Sequence, residues 1–331
     1  MSILVSTLIP CYNADQWIGE AIDSALGQSY SPHEVIVVDD GSTDRSLEII
    51  SSFSKRIRWE TGPNRGGNSA RNRLLELSRG DWLQYLDADD YLQGDKIAHQ
   101  MKFLASSSQK PDIIFGPITM EHWSEGHYRH ELLTIPEPYD PWVLLASWRL
   151  PQTGACLWLK QAILDVGGWE REQPCCQEHE LYLRLIKCEK LFAYCPVGGA
   201  IYRQWSDNTV CRGNVAEVHR RRLLIEQAAE DHLRKTRMLT SERLGAINQA
   251  RFDIARSAWQ YDPAFAYWIL QRVRDSDPQF RPAGPAAPLG YRLAYRLLGF
   301  QAAENLAAKK RKAAHSLRSG LTRRESRLAD S

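Results

Sequence analysis

The sequence predicts an α/β fold with a mostly parallel, doubly wound sheet and a helical C-terminal extension. Three observations carry that prediction. Over the first 120 residues, short β-branched apolar runs alternate with stretches of helical period. The connections between them are a few residues long, as successive βα units require. Two of the runs end in Asp clusters, at 39–40 and 87–90, and such sheets bind ligands beyond the carboxyl ends of their strands, so both clusters are expected in one crevice.

Ile3 to Ile9 is an apolar run of the kind buried on both faces, and Pro10-Cys11-Tyr12-Asn13 breaks it. Trp17, Ile18, Ala21, Ile22, Ala25 and Leu26 then recur at helical spacing, with Asn13 or Asp15 as cap. Glu34 to Val38 is the next strand, closed by Asp39-Asp40-Gly41-Ser42-Thr43-Asp44. Leu47, Ile49 and Ile50 begin a helix, Ile57 to Glu60 is a weaker strand, and Ala70 to Leu77 is helical. Trp82 to Leu86 is a strand ending in Asp87-Ala88-Asp89-Asp90. Beyond it, Asp112 to Phe115 and Phe192 to Tyr202 read as extended, while Pro141 to Trp148, Glu180 to Lys187 and most of 215–258 read as helical. Pro278, Pro282, Pro285 and Pro288 mark a linker before a last helix, Tyr291 to Lys312.

A chain that is 43% hydrophobic and 25% charged is globular, not disordered, collagen-like or a disulfide scaffold. Net charge is +2, but from Gln301 onward eight basic residues face three acidic ones, so that the tail carries +5 and the first 300 residues −3. This split points to an anionic surface met by the tail alone, and without aromatic-basic interleaving nucleic acid is not expected. The start lacks a signal-peptide pattern and no stretch offers about 18 uninterrupted apolar residues. The expected location is cytoplasmic, with room for peripheral contact at the inner face of the cell membrane. Seven cysteines without paired C-x-x-C spacing fit reduced thiols, and the group from Cys175 to Cys195 lacks the usual spacing of zinc ligands.

Several carboxylates at one strand end repel and raise one another's pKa values, a cost that a divalent cation relieves. Oxygen ligands of this kind suit Mg²⁺ or Mn²⁺, and Mg²⁺ is usually shared with substrate phosphates. Asp87-Ala88-Asp89-Asp90 has the D-x-D arrangement for that role, and Asp39-Asp40-Gly41-Ser42 is similar in kind. The alternatives are a solvated acidic turn and an Asx-type turn with Gly41 at positive φ.

Four motifs in order extend this reading. Val5 to Asn13, Val37 to Asp44, Asn64-Arg65-Gly66-Gly67 with Ala70-Arg71-Asn72, and Leu86 to Asp90 resemble those of the nucleotide-sugar-dependent glycosyltransferases of family 2. The resemblance covers roughly residues 1 to 205. It implies a GT-A fold, an inverting reaction, a nucleotide-diphosphate sugar donor (a UDP-sugar by preference), a divalent metal, Mn²⁺ or Mg²⁺, and a glycan or lipid-linked acceptor. By motif, Pro10, Tyr12 and Asp40 would line the base pocket, with Asp39 and Arg71 nearby; Asp87 and Asp89 would hold the ribose and metal-diphosphate, with Asp90 an alternate ligand. The chain would divide into a glycosyltransferase domain at 1–210 (donor half to about 115, acceptor half from 116), a helical extension at 211–277, a linker at 278–290 and an amphipathic helix with basic tail at 291–331.

The family usually presents an acidic pair, Glu-Asp, at a helix start after a Gly-Gly-aromatic turn. Here Val166-Gly167-Gly168-Trp169 matches the turn, and Gln177-Glu178-His179-Glu180 falls where the helix begins. Glu178 takes the catalytic base position with Glu180 in reserve, and Gln177 replaces the first acid. Glu for Asp lengthens the side chain by a methylene, and misplacement of about 1 Å can cost on the order of 10²-fold. Where the family often has Tyr-Arg-x-His over the diphosphate, this chain has Tyr202-Arg203-Gln204-Trp205, so that Arg203 or Arg212 would supply the charge. Trp169 and Trp205 read first as core residues and second as sugar-stacking ones, and His179 is a further acceptor-site candidate. The competing functions are a sugar-nucleotide-binding protein without transfer and a sugar nucleotidyltransferase, though the latter wants a glycine-rich phosphate loop that Pro10 to Asn13 does not provide. Leu293, Leu297, Leu298 and Phe300 with Lys309 to Lys312 read either as an amphipathic helix on an anionic membrane or as a packed helix with a basic tail.

Overall fold

The computed structural model describes residues 3–124, 127–135, 139–205 and 213–329. The chain divides into two compact units, 1–239 and 240–331. In the first, a seven-stranded sheet comprises β1 (Val5–Cys11), β2 (His33–Asp39), β3 (Arg58–Thr61), β4 (Trp82–Tyr85), β6 (Ile113–Phe115), β9 (Leu157–Leu159) and β10 (Phe192–Tyr194). Their spatial order is β10-β6-β9-β4-β1-β2-β3. The strands from β4 to β3 are parallel, whereas β9 runs antiparallel to β4 and β6. A second sheet, in the order β5-β11-β7-β8, joins β5 (Tyr91–Leu92), β11 (Ala200–Gln204), β7 (Ile118–Ser124) and β8 (His127–Leu133). The expected extended stretch from Phe192 to Tyr202 is thus two strands in different sheets, because the chain turns between them at Pro196 to Gly199.

β1 and β2 are buried over most of their length, which is why they read as continuous apolar runs. Three crossovers carry α1 (Ile18–Leu26), α2 (Ser46–Ser52) and α3 (Gly67–Leu77). α1 lays Ile18, Ala21, Ile22 and Ala25 against Ile9, Val35 and Val37, each large aliphatic group contributing roughly 1.5–3 kcal/mol on burial. The helices α4 (Lys96–Ser106), α5 (Pro141–Ala146), α6 (Lys160–Asp165), α7 (Gln177–Lys187) and α8 (Val215–Lys235) complete this unit. α8 packs into it through His232 stacked on Trp142 and Arg222 lying 4.3 Å over Trp148.

The second unit contains α9 (Ser241–Ala258), α10 (Pro263–Ser276) and α11 (Leu289–Ala329). Its centre is Phe252, whose ring meets Phe280, Tyr291, Tyr295 and Phe300. The Pro-rich segment is folded onto this unit: Ala287 is buried and the Ala283 amide donates to Gln249 Oε1 at 2.7 Å. α11 is broken at Gly299 (φ 80°, ψ 177°). The break turns Phe300 inward, so that it leaves the set of exposed apolar residues expected with Leu293, Leu297 and Leu298.

One turn sets the position of α7. Asn72 on α3 accepts from the Trp169 amide (2.8 Å) and donates to its carbonyl (2.7 Å). Gly168 lies against it with φ 76°, and a Cβ there would stand 2.6 Å from Asn72 Oδ1. Left-handed backbone costs an L-residue roughly 1–2 kcal/mol before any clash. Gly168→Ala is expected to lower the melting temperature by at least about 5 °C, at roughly 2–4 °C per kcal/mol for a domain of this size; thermal unfolding followed by circular dichroism measures it.

Candidate functional site

The order β2-β1-β4 sets the carboxyl ends of three parallel strands side by side, with Pro10 and Cys11 between Asp39 and the acidic turn that follows Tyr85. The loops leaving β1 and β2 are latched together: the Asn13 amide donates to Ser42 Oγ and the Thr43 amide to Asn13 Oδ1. Gly41 (φ 78°) permits this, since a Cβ would lie 2.7 Å from the Asn64 amide nitrogen. Asp40 takes the Arg65 and Gly66 amides, both at 2.8 Å, on its two oxygens and so fixes the entry to α3. Asp39 accepts from Thr61 Oγ1 at 2.7 Å. Asp39, Asp40, Thr61, Pro63, Arg65 and Arg171 line a cleft of about 300 Å³, while Tyr12 is 52% exposed at the end of β1.

On the other side of β1, Arg71 is buried and joins three elements. It donates to Asp87 Oδ1 (2.8 Å) and to Gln177 Oε1 (2.9 Å), and its guanidinium lies 4.9 Å over the Trp169 ring. Gln152 donates from Nε2 to both Asp87 Oδ2 and Asp90 Oδ2 at 2.9 Å, and its neighbour Thr153 donates from Oγ1 to Glu178 Oε1 at 2.8 Å. These two adjacent residues tie the acidic turn to the start of α7. Sequence reasoning missed both, because they lie in a loop without period or motif.

The acidic turn holds more negative charge than the side chains around it neutralise. Burial pushes the Asp90 carboxyl well above its ordinary range, and Asp89 and Asp87 push it further. The Asp89 carboxyl is raised by burial and then by Asp87. Asp90 accepts from the Arg203 amide, while Trp205 Nε1 donates to Asp89 Oδ2 at 3.0 Å. Among the described residues, no group of three or more His, Cys, Asp and Glu side chains is arranged to hold an ion. Cys211 and Arg212 lie outside the described residues.

On α7, residues 178 and 180 point about 200° apart. Glu178 faces Thr153 and the acidic turn, whereas Glu180 forms a two-pronged ion pair with Arg184, whose Nη1 also donates to the Gly168 carbonyl. His179 stacks on Trp148 with centroids 3.6 Å apart; burial, and then Arg222, lower its pKa to about 3. Trp169 is buried edge-on against Tyr85 and is core, whereas Trp205 is 45% exposed.

Arg203 is buried and its guanidinium is taken up by groups of the chain itself. It pairs with Glu121 (2.9 Å) and Glu20 (2.8 Å), lies over Trp17 and Tyr91, and donates to the Asp89 carbonyl. Glu121 also accepts from Tyr91, Trp123 and His130. Burial raises its carboxyl, but these hydrogen bonds outweigh it and bring the pKa from 4.5 down to about 2. The stabilisation is therefore full above pH 4.5 and lost as pH falls toward 2, about 3 kcal/mol in all. Glu121→Gln is expected to melt several degrees below wild type at pH 7, the gap closing between pH 4.5 and 2; parallel melts across that range test it.

The chain is similar to known proteins in both sequence and fold. The family model described as Glycosyl transferase family 2 matches residues 6–166. An uncharacterized glycosyltransferase of Haemophilus influenzae is 42% identical over 105 residues, which are 30% of this chain and 42% of that protein. The chondroitin synthase of Pasteurella multocida is 40% identical over 97 residues, 28% of this chain and 10% of that one. The chain thus matches less than half of the length of either relative. Among solved structures, S. aureus TarS 1-349 superposes with TM-score 0.63 at 15% identity, over 93% of this chain and 92% of that one. The same protein in complex with UDP-GlcNAc gives TM-score 0.57 over 83% of this chain and 89% of that one. At such identities these structures establish a shared fold.

Proposed function

The chain belongs to glycosyltransferase family 2 through residues 6–166, and on that premise we propose that it is an inverting transferase. It would move a sugar from a nucleotide-diphosphate donor, a UDP-sugar by preference, to a hydroxyl of a glycan or lipid-linked acceptor in cell-surface polysaccharide synthesis. The observation that carries the reading is Glu178, presented by α7 and held by Thr153 beside the same loop that grips Asp87 and Asp90. The UDP-GlcNAc of the TarS complex supports the donor class.

In this reading the cleft beside Asp39 and Asp40 receives the base, Pro10 and Tyr12 flank it, and Asp87 meets the ribose. Glu178 takes the acceptor proton as the hydroxyl oxygen attacks opposite the diphosphate, Thr153 fixing which carboxylate oxygen faces the acceptor. Glu180 is held by Arg184 and leaves the role to Glu178. One or two carboxylates of the acidic turn suit a divalent cation shared with the donor phosphates, and burial, then Asp87, leave the Asp89 carboxylate in want of a countercharge. When bound, Mn²⁺ or Mg²⁺ would neutralise charge on the departing diphosphate. Asp89 would hold it, with Asp90 in reserve. Trp205 cannot ligate, because an indole N–H only donates.

A sugar-nucleotide-binding protein without transfer is the competing reading, favoured by Trp205 sitting on Asp89. Glu178→Gln separates the two: transfer is expected to fall by roughly 10²–10⁴-fold with donor affinity retained, and turnover within a few-fold of wild type would remove Glu178 from the mechanism. Calorimetric titration of UDP, GDP and dTDP with and without Mn²⁺ should give metal-dependent binding of one nucleotide, lost in Asp89→Ala. Trp205→Phe deletes the competing donor and is expected to tighten that metal-dependent binding several-fold.

A further inference from the structure

The second unit carries an apolar stripe that no described residue of that unit covers. Leu289, Leu293 and Leu297, at i, i+4 and i+8 of α11, share one face. They are 79%, 60% and 70% exposed, and Leu298 beside them is 60% exposed. The opposite face, with Tyr291 and Tyr295, packs on Phe252, so the stripe is not the helix's inward side. Arg292 and Arg296 fall next to the leucines round the helix, along one edge of the stripe. The arrangement ends at Gly299, after which the chain turns Phe300 into the core.

Charge selects what covers this face. Residues 240–331 hold sixteen Lys and Arg against eight Asp and Glu, a surplus of +8, whereas residues 1–239 carry −6. Two copies of such a face would meet with like charge, while an anionic lipid surface offers apolar depth for leucines and headgroups for arginines. No described helix is long and apolar enough to cross a membrane, so the contact would lie in the interface. We infer that the face of α11 formed by Leu289, Leu293 and Leu297 docks on an anionic bilayer, with Arg292 and Arg296 at the headgroups and the basic residues from Lys309 onward adding long-range attraction.

Full-length protein sedimented with phosphatidylcholine vesicles, with and without about 30% phosphatidylglycerol, tests this. Wild type should pellet with the anionic vesicles and weakly with the neutral ones. Leu293→Gln with Leu297→Gln should reduce binding at least about tenfold. Arg292→Gln with Arg296→Gln should weaken it several-fold and flatten its salt dependence. The leucines lie outside the core, so an unchanged melting temperature verifies the fold of that variant; because Arg292 Nε donates to the Ala287 carbonyl, Arg296→Gln alone serves as the second charge variant. Equal binding by wild type and the leucine variant, no wild-type binding, or equal binding to both vesicle types would overturn the inference. So would a wild-type oligomer that becomes monomeric in the leucine variant, since a second copy would then cover the face.

Discussion

The Arg71 guanidinium sits where α3, the end of β4 and the start of α7 meet, and a charge in that position has to be paired. Asp87 pairs it, Gln177 accepts its second nitrogen, and the Trp169 ring packs beneath it. Each contact comes from a different part of the chain. The buried charge therefore does what apolar packing does poorly: it fixes direction as well as distance, holding α7 in register with the acidic turn. Without Asp87 the guanidinium would be an uncompensated buried cation; without Arg71, one more carboxylate would join a cluster already short of positive charge.

That shortage organises the rest of the site. Asp87, Asp89 and Asp90 face one another with Arg71 as a direct side-chain cation, because Arg203 turns its guanidinium to Glu121 and Glu20 and lends the turn its backbone amide and a bond to the Asp89 carbonyl. Neutral donors, Gln152 and the Trp205 indole, hold the remaining oxygens in place without cancelling charge. Geometry is thus specified while the electrostatic cost persists, as suits a site whose countercharge arrives with its ligand.

The parts legible in the sequence were those governed by local rules. Buried parallel strands show as apolar runs and Asp-Gly after a strand shows as a turn needing positive φ, while Gly167-Gly168-Trp169 before an acidic helix start stood out through its likeness to the family's turn. What stayed hidden depends on partners far along the chain. Gln152 and Thr153 have no local signature, and their roles exist because the antiparallel β9 brings their loop beside β4. Phe300 shares the helical period of its neighbours, and only the break at Gly299 takes it inward. The ion pair of Arg203 with Glu121 likewise exists because β11 pairs with β7 and sets the two residues opposite each other.

The two departures from the family pattern follow from the same electrostatics. An acid at position 177 would give Arg71 a second anion and place another negative charge next to Glu178. Gln177 gives Arg71 an oxygen acceptor with no charge, so the contact is made without a second anion beside Glu178. Where the family resemblance leads to a His, Trp205 stands and donates to Asp89 Oδ2. Both residues bear on the single cluster that Arg71 anchors, Gln177 directly and Trp205 through Asp89.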